Sequence, residues 1–202
     1  MTTEAVEEAA LARLATVERT GVGAKAPFAA YDIERPEEVP AFAPVGGEVK
    51  VTVTGSAHDR RGRLRKVSPE VVDMLVHLQR KIEAHATEMA LVRPDLDPDA
   101  LCLLLSYGIT ARAAHEAVGV LRKEGFPISF LQIQTLFPLP TEALNWASAG
   151  IRTVFVAEEN LGGQYRTVLA PLLAGKQVLG INKIGSMITP GEIARAIRGA
   201  GA

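Results

Sequence analysis

Hydrophobic and polar residues change their periodicity along the chain near residue 99. Before this point, apolar residues recur at helical spacing over 4–18 and 68–90, on either side of a stretch rich in proline and glycine. After it, short apolar runs alternate with helical stripes. The pattern predicts an N-terminal helix and extended arm over 1–47, a strand, basic loop and long helix over 48–98, and an α/β domain over 99–202.

The segment before the α/β domain contains two local signals of regular structure. Val49, Val51 and Val53 alternate with polar residues, which predicts a short strand with the valines on one face. Ser68 precedes Pro69, and Pro suits the first position of a helix while the Ser side chain accepts a hydrogen bond from a free backbone N–H. A long helix is therefore expected to start here and to run to about residue 90.

The α/β domain is predicted from four apolar runs, each followed by a turn and a helical stripe. Continuous apolar runs of this kind are typical of strands covered on both faces. Thr110 and Thr141 are expected to cap two of the helices, and Thr189 with Pro190 is expected to start the last helix. The repeated order and right-handed crossovers predict an open, mostly parallel sheet with helices on both faces. The expected strands are 101–105, 128–133, 153–157 and 178–181.

The charge of the chain excludes a general electrostatic attraction to nucleic acid or to anionic membranes. The 202 residues include 22 basic and 23 acidic side chains, a net charge of −1. A basic cluster over 60–66 has no aromatic residues between its charges, so a solvated loop is favoured over a nucleic-acid surface. With no apolar stretch of about 20 residues and an acidic N-terminus, the chain is expected to be cytoplasmic.

The cysteine content excludes disulfides, a zinc site and a cysteine-bound iron-sulfur cluster within this chain. Cys102 is the single cysteine and lies in an apolar run, so a buried, inert thiol is expected. His77 and His85 lie on the predicted long helix without partners at metal-ligand spacing, and packed or exposed histidines are favoured. No metal ligand and no catalytic residue is predicted.

The candidate functional residues follow the predicted strands, because ligands and partner loops meet the carboxyl ends of strands in parallel sheets. They are possible anion-binding or partner-facing positions. The set is Tyr107, Gly108, Thr110, Thr135, Glu158, Glu159, Asn160, Gly162 and Gly163.

Two glycine turns among these candidates leave backbone N–H groups free at a helix start, where a phosphate or carboxylate could bind. They are Gly108 and the pair Gly162 and Gly163, but neither matches a dinucleotide or P-loop motif, so turns without a ligand are favoured. Glu158 and Glu159 are adjacent, so in an extended segment they point to opposite sides. A partner-facing or helix-capping carboxylate is favoured over a catalytic acid.

An ordered series of short segments resembles a known enzyme family. Residues 101–193 are similar to the C-terminal domain of thiamine-diphosphate enzymes such as transketolase. They resemble more closely the alpha subunit of 2-oxoacid:ferredoxin oxidoreductases of the 2-oxoglutarate type. Residues 39–42 and 53–62 resemble an insertion of this family, so the likeness covers about 39–197. The segments within the domain are 107–110, 121–125, 131–140, 156–164, 183–185 and 188–193.

The resemblance implies a role inside a larger enzyme. The complete enzyme decarboxylates a 2-oxoacid, here 2-oxoglutarate or pyruvate, on thiamine diphosphate with Mg²⁺. It passes electrons through iron-sulfur clusters to ferredoxin and transfers the acyl group to coenzyme A. This chain has neither cluster cysteines nor a G-D-G diphosphate motif. It is therefore expected to bind none of these cofactors, to be inactive alone and to pack in an oligomer against thiamine-diphosphate-binding and iron-sulfur subunits.

Two other classes of function stay open at this point. One is a free-standing regulatory module that binds an anion or coenzyme A at a glycine turn. The other is the C-terminal domain of a transketolase or of a dehydrogenase beta subunit, with no electron-transfer partner.

Overall fold

The computed structural model describes residues 8–13 and 28–201, and its contacts divide the chain into two compact units, 1–82 and 83–202. The sequence predicted boundaries after residues 47 and 98 instead. Most of the predicted N-terminal helix over 4–18 lies outside the described residues, among which Glu8–Leu11 form helix α1.

Helix α2, Pro69–Ala84, is the main regular element of the first unit. It begins where the sequence predicts, and Ser68 Oγ accepts a hydrogen bond from the Val71 N–H at 3.4 Å. It ends earlier than predicted because His85 leaves helical geometry, at φ −110° and ψ 11°, before the one-turn helix α3, Ala86–Met89. The predicted single helix is therefore two helices, α2 and α3. The His85 ring pairs with the Glu88 carboxylate beside this break.

The strand predicted over 49–53 is wrong. Residues 50–54 have no regular hydrogen-bonded structure, and the three valines do not share one buried face. Val49 is buried, whereas Val53 is 64% exposed. A strand needs a neighbouring chain segment to satisfy its backbone groups, and among the described residues none pairs with this segment.

The basic loop after this segment is organised by one buried carboxylate. Asp59 Oδ1 accepts hydrogen bonds from the N–H groups of Arg61 at 2.9 Å and Arg63 at 3.0 Å. These bonds, the Arg63 bond foremost, hold the pKa of Asp59 below its usual value. The basic side chains over 60–66 are exposed, as predicted for a solvated loop.

The second unit contains a five-stranded sheet in the order β1-β3-β2-β4-β5. Strands β2 to β5 are parallel, and β1 runs antiparallel to β3 at the edge. This confirms the predicted open, mostly parallel sheet. The strands are β1, Val92–Asp95; β2, Cys102–Tyr107; β3, Ile128–Ile133; β4, Thr153–Glu158; and β5, Gln177–Asn182.

Sequence patterns did not predict β1, which contains Pro94 and lies before the predicted start of the α/β domain at residue 99. Proline cannot donate to a sheet, but an edge strand tolerates it where its missing N–H faces away from the neighbour. The Arg122 guanidinium joins this edge to the sheet, since it donates to Asp95 Oδ1 at 2.7 Å and to the Ile128 carbonyl at 2.8 Å.

Helices cover both faces of the sheet, as predicted. Alternate strand residues point to opposite faces, so Leu104 and Phe130 belong to one buried cluster and Leu103 and Leu131 to the other. Helices α4, Thr110–Lys123, and α7, Pro190–Gly199, cover the first face. The second is covered by α5, Thr141–Ala147, by α6, Gln164–Leu169, and by a 3₁₀ turn, Ala170–Leu173.

The predicted start of the last helix at Thr189 is confirmed, whereas the two predicted threonine caps are wrong. Thr189 forms a capping box with Glu192 at the start of α7. Thr110 and Thr141 are instead the first residues inside their helices, without side-chain caps. Thr110 is buried, and Thr141 Oγ1 donates back to the Leu139 carbonyl at 3.4 Å. Neither hydroxyl accepts a hydrogen bond from the backbone N–H groups of its first helical turn.

No helix within residues 8–13 and 28–201 combines the length and apolar character that a membrane span requires.

Gly62 is needed where the basic loop turns back on itself. Its φ is +74°, and a Cβ there would lie 1.9 Å from the Thr52 carbonyl oxygen. We expect Gly62→Ala to destabilise the loop by about 2–4 kcal/mol, the sum of a left-handed backbone and a backbone clash. Hydrogen exchange of the Arg63 and Arg65 amides measures this local opening.

Gly46→Ala is the matched control, because Gly46 also has a positive φ, +84°, but a Cβ there meets nothing within 4 Å. It should cost only about 1–2 kcal/mol. Equal exchange rates in the two variants would contradict the steric explanation.

The capping box of α7 predicts a dependence of stability on pH. Lys183 Nζ contacts both Glu192 carboxylate oxygens, at 2.8 and 2.9 Å, and with the Thr189 bonds this lowers the pKa of Glu192 to about 2 from 4.5. The carboxylate therefore stabilises the fold fully above pH 4.5, and this contribution disappears as the pH falls toward 2. Glu192→Gln should lower the unfolding midpoint in urea at neutral pH, and the difference should shrink through that window.

Glu116→Gln, on the exposed face of α4, controls for the loss of one surface carboxylate. A Glu192→Gln difference that stays constant from neutral pH down to about pH 2 would be inconsistent with this assignment.

Candidate functional site

The candidate site lies at the carboxyl edge of the sheet, where β2 and β4 are neighbours. The connection from β2 leads to β3 on one side, and the connection from β4 leads to β5 on the other. Such a reversal opens a crevice at the strand ends, which is where ligands bind in sheets of this type. Tyr107 ends β2 and Glu158 ends β4, so two of the predicted residues lie at this crevice.

Glu158 is the most buried charged group of the site, with 1% of its surface exposed. Its Oε2 accepts from Asn160 Nδ2 at 2.5 Å, from the Tyr165 N–H at 2.9 Å and from the Tyr107 hydroxyl at 3.3 Å. Its Oε1 accepts from the Arg166 N–H at 3.1 Å. A buried carboxylate is tolerated when donors surround it, and Glu158 acts here as the cap of α6.

Asn160 satisfies the next two backbone donors of the same helix start. Its Oδ1 accepts from the N–H groups of Gly163 at 2.7 Å and Gln164 at 3.2 Å. Together with Glu158, this side chain occupies the N–H groups of four consecutive residues, 163–166. The donors that the sequence suggested for an external anion at Gly162 and Gly163 are therefore already bound within the chain.

Gly163 permits this arrangement because it precedes α6 in the left-handed conformation, at φ 66°. A Cβ at this position would lie 2.8 Å from Arg166 Nε, so the Arg166 side chain packs directly against the glycine. Gly162, by contrast, is exposed.

Two tyrosines close the crevice above the carboxylate. The rings of Tyr107 and Tyr165 meet edge to face with centroids 5.2 Å apart. Burial, followed by the negative charge of Glu158, raises the pKa of Tyr107. Burial also raises the pKa of Tyr165 to about 12, so both phenols stay protonated and donate hydrogen bonds at neutral pH.

Glu159 points away from Glu158, as expected for neighbours in an extended segment. It is exposed, and its Oε1 accepts from the Ile188 N–H at 3.0 Å, in the loop before α7. The two carboxylates thus bind different segments of backbone and do not face each other across a common site.

The remaining predicted residues do not join the crevice cluster of Tyr107, Glu158, Asn160 and Gly163. Gly108 is an exposed turn residue at φ 56°, and Thr110 is buried in the first turn of α4. Thr135 Oγ1 accepts from the Leu91 N–H at 3.2 Å, next to β1.

Sequence reasoning missed Tyr165 and Arg166, whose backbone N–H groups bind Glu158. A signal for them was present, since a helix was predicted from near Gln164 and its next N–H groups need acceptors. Nothing local indicated that the acceptor would be a strand-end glutamate.

No group of three or more potential metal ligands exists among the described residues. Cys102 is buried in β2, and burial raises the pKa of its thiol to about 11, so the sulfur is protonated at neutral pH.

The surface of the carboxyl edge is apolar around this polar interior. Large hydrophobic side chains are exposed on every loop that leaves a parallel strand, and we call this set the apolar rim. Phe137 is 72% exposed and Leu161 is 78% exposed. The apolar rim consists of Ile109, Leu136, Phe137, Leu161, Ile184 and Met187.

Most of the second unit is similar to a known protein family. Residues 100–193 match the family described as pyruvate:ferredoxin oxidoreductase core domain II. Over 164 residues the chain is 34% identical to the 2-oxoglutarate synthase subunit KorA of Methanothermobacter marburgensis, covering 80% of this chain and 43% of that protein. It is 28% identical over 156 residues to the alpha subunit of 2-oxoacid:ferredoxin oxidoreductase 2 of Aeropyrum pernix, covering 75% of this chain and 24% of that protein.

A solved structure shares the fold. The 2-oxoglutarate:ferredoxin oxidoreductase of Magnetococcus marinus, solved with 2-oxoglutarate, coenzyme A and succinyl-CoA, matches 92% of this chain and 32% of its own with a TM-score of 0.73 and 18% identity. The chain spans less than half the length of the curated relatives it matches.

The hydrogen bonds of Glu158 predict that replacing its carboxylate with an amide destabilises the fold. Glu158→Gln keeps the shape but removes the charge and one acceptor, leaving buried donors unsatisfied, so we expect a loss of about 1–3 kcal/mol in the free energy of unfolding. Urea unfolding followed by circular dichroism measures it.

Glu159→Gln is the matched control, since its side chain is exposed and its amide oxygen still accepts from Ile188. It should stay within about 0.5 kcal/mol of the parent. Similar values for the two variants would refute the capping role of Glu158.

Proposed function

Because residues 100–193 match the pyruvate:ferredoxin oxidoreductase core domain II family, we propose that the chain is a non-catalytic assembly part of a 2-oxoacid:ferredoxin oxidoreductase. The complete enzyme would oxidatively decarboxylate a 2-oxoacid to an acyl-CoA and reduce ferredoxin. In this proposal the chain acts in the cytoplasm, as expected from its sequence.

The apolar rim is the observation that carries this proposal. Large exposed apolar side chains gathered at one edge mark a surface that another protein covers. Their position on the loops after the parallel strands is also where partners meet sheets of this topology. The partners we propose are the thiamine-diphosphate-binding and iron-sulfur domains or subunits of the same enzyme.

The crevice chemistry supports assembly over catalysis. Glu158 is bound by four donors of its own chain, and Glu159 is bound to the loop before α7. Neither carboxylate is poised against a second titratable group as an acid/base pair. The occupied donors at 163–166 also weaken the alternative of an anion-binding regulatory module at this turn.

The cofactors are proposed to belong to the partners. A cysteine-bound cluster needs several thiolates, and this chain has one buried, protonated thiol. The residues present therefore do not fit an iron-sulfur cluster, and the sequence has no diphosphate motif for thiamine diphosphate and Mg²⁺. Coenzyme A has no assigned site on this chain in the proposal.

The substrate we propose is 2-oxoglutarate, ahead of pyruvate. The support comes from the relatives named 2-oxoglutarate synthase subunit, at 32–34% identity. The family match over residues 100–193 and the Aeropyrum pernix relative, whose names include ferredoxin, favour a ferredoxin-linked enzyme over the alternative of a transketolase or dehydrogenase beta-subunit domain.

Charged substitutions in the apolar rim test the proposal. The tagged chain should copurify with thiamine-diphosphate-binding and iron-sulfur subunits, and the double variant Phe137→Asp with Leu161→Asp should weaken that assembly at least about tenfold, because a buried unpaired charge is costly in an interface. Sedimentation velocity of the mixed subunits measures it.

Val120→Asp is the control, since Val120 is an exposed apolar residue on α4, outside the apolar rim. It should leave the complex intact. Copurification with no such subunits, or an unchanged complex in the double variant, would overturn the proposal.

A further inference from the structure

His77 is a buried histidine of the first unit without a hydrogen-bond partner. Its exposed fraction is 5%, and neither Nδ1 nor Nε2 has a partner among the residues that the structure describes. A neutral imidazole has one donor and one acceptor nitrogen, and burying them unpaired opposes folding. A buried ring without partners in this position suggests that a ligand supplies a hydrogen-bonding group to one of its nitrogens.

The His77 ring forms part of the wall of a groove of about 340 Å³ within residues 28–81. This volume is in the range of small-molecule sites. The rest of the wall is almost entirely apolar. Its side chains include Phe42, Val51, Val53, Met74 and Leu78.

The polar groups of the groove are basic or neutral. They are Tyr31, His77 and Lys81, and no carboxylate lines it. Lys81 lies one helical turn after His77, so the two side chains are neighbours on α2. Within the described part of the chain, Lys81 forms no ion pair with a carboxylate, so its ammonium charge is not neutralised locally.

The adjoining hollow shows that this charge pattern is specific to the groove. His77 also lines a second hollow of about 420 Å³, in which carboxylates such as Glu34 and Asp73 alternate with Arg35 and Arg80. Its charges are balanced within the chain, whereas the groove has the Lys81 ammonium in its wall and no carboxylate there.

We propose that the groove binds a small apolar carboxylate. The carboxylate group is held between Lys81 Nζ and a ring nitrogen of His77, which donates to it. The hydrocarbon part lies along Met74, Leu78 and the valines. A charge-assisted bond in an apolar groove gives both affinity and selectivity for the acid. The site depends only on the first unit and is independent of the assembly role proposed for the second.

Calorimetric titration of the full chain tests the site with hexanoate and with hexanamide, which has the same hydrocarbon body but no charge. Hexanoate should bind, and hexanamide should bind at least about tenfold more weakly because it lacks the charge-assisted bond. Lys81→Met and His77→Phe, which keep the side-chain bulk, should each weaken hexanoate binding by at least about tenfold.

Lys66→Met is the matched control, because Lys66 is an exposed base of the same unit that does not line the groove. It should bind hexanoate as the parent does. Circular dichroism checks each fold. Lys81 is only half-buried, so Lys81→Met decides the question if His77→Phe does not fold.

Three results would overturn the proposal. They are the absence of hexanoate binding up to about 10 mM, equal affinity for hexanoate and hexanamide, and unchanged hexanoate binding in Lys81→Met. Complex formation is measured separately, through the apolar rim. Absence of hexanoate binding would therefore leave the proposed function intact, and absence of complex formation would leave the proposed groove site intact.

Discussion

A buried carboxylate at the crevice between β2 and β4 holds the carboxyl edge of this protein together. Glu158 compensates its own burial with donors from Tyr107, Asn160 and the start of α6. Helix α6 has only six residues, and a helix of this length has no stability by itself in water. Its position, and that of the tyrosines packed over the crevice, therefore depends on these charge-assisted hydrogen bonds together with the burial of Tyr165 and Leu169 against the sheet.

The same bonds explain why the edge suits docking better than chemistry. In sheets of this topology the crevice commonly receives a ligand, whereas here side chains of the chain itself fill it. The polar groups are satisfied inside, and the apolar rim lies outside. A surface of this kind gains free energy when another protein removes it from water, in keeping with the proposed role in assembly.

The local signals of the sequence predicted most of the second unit. An apolar run of strand length, or a Thr followed by a Pro, has much the same consequence in any context, which is why β3 and the start of α7 at Thr189 were predicted correctly. The predictions were wrong where the local structure depends on contacts with other segments of the chain. The valines over 49–53 have no partner among the described residues, while Pro94 is accepted in β1 because it occupies a sheet edge. Thr110 could cap a helix, but its side chain is buried instead.

For the candidate site, the sequence by itself determined which residues end the strands and that Glu158 and Glu159 diverge, because both follow from the geometry of an extended chain. Tertiary structure decided which of the predicted site residues contact each other. Tyr107 and Glu158 are 51 residues apart and touch only because β4 pairs with β2. The turn at Gly163 offers no donors to an outside anion, because two side chains folded back from the strand end already accept from them. Which acceptor binds a given backbone N–H depends on which groups lie close in space, and the spacing of residues along the chain does not reveal this.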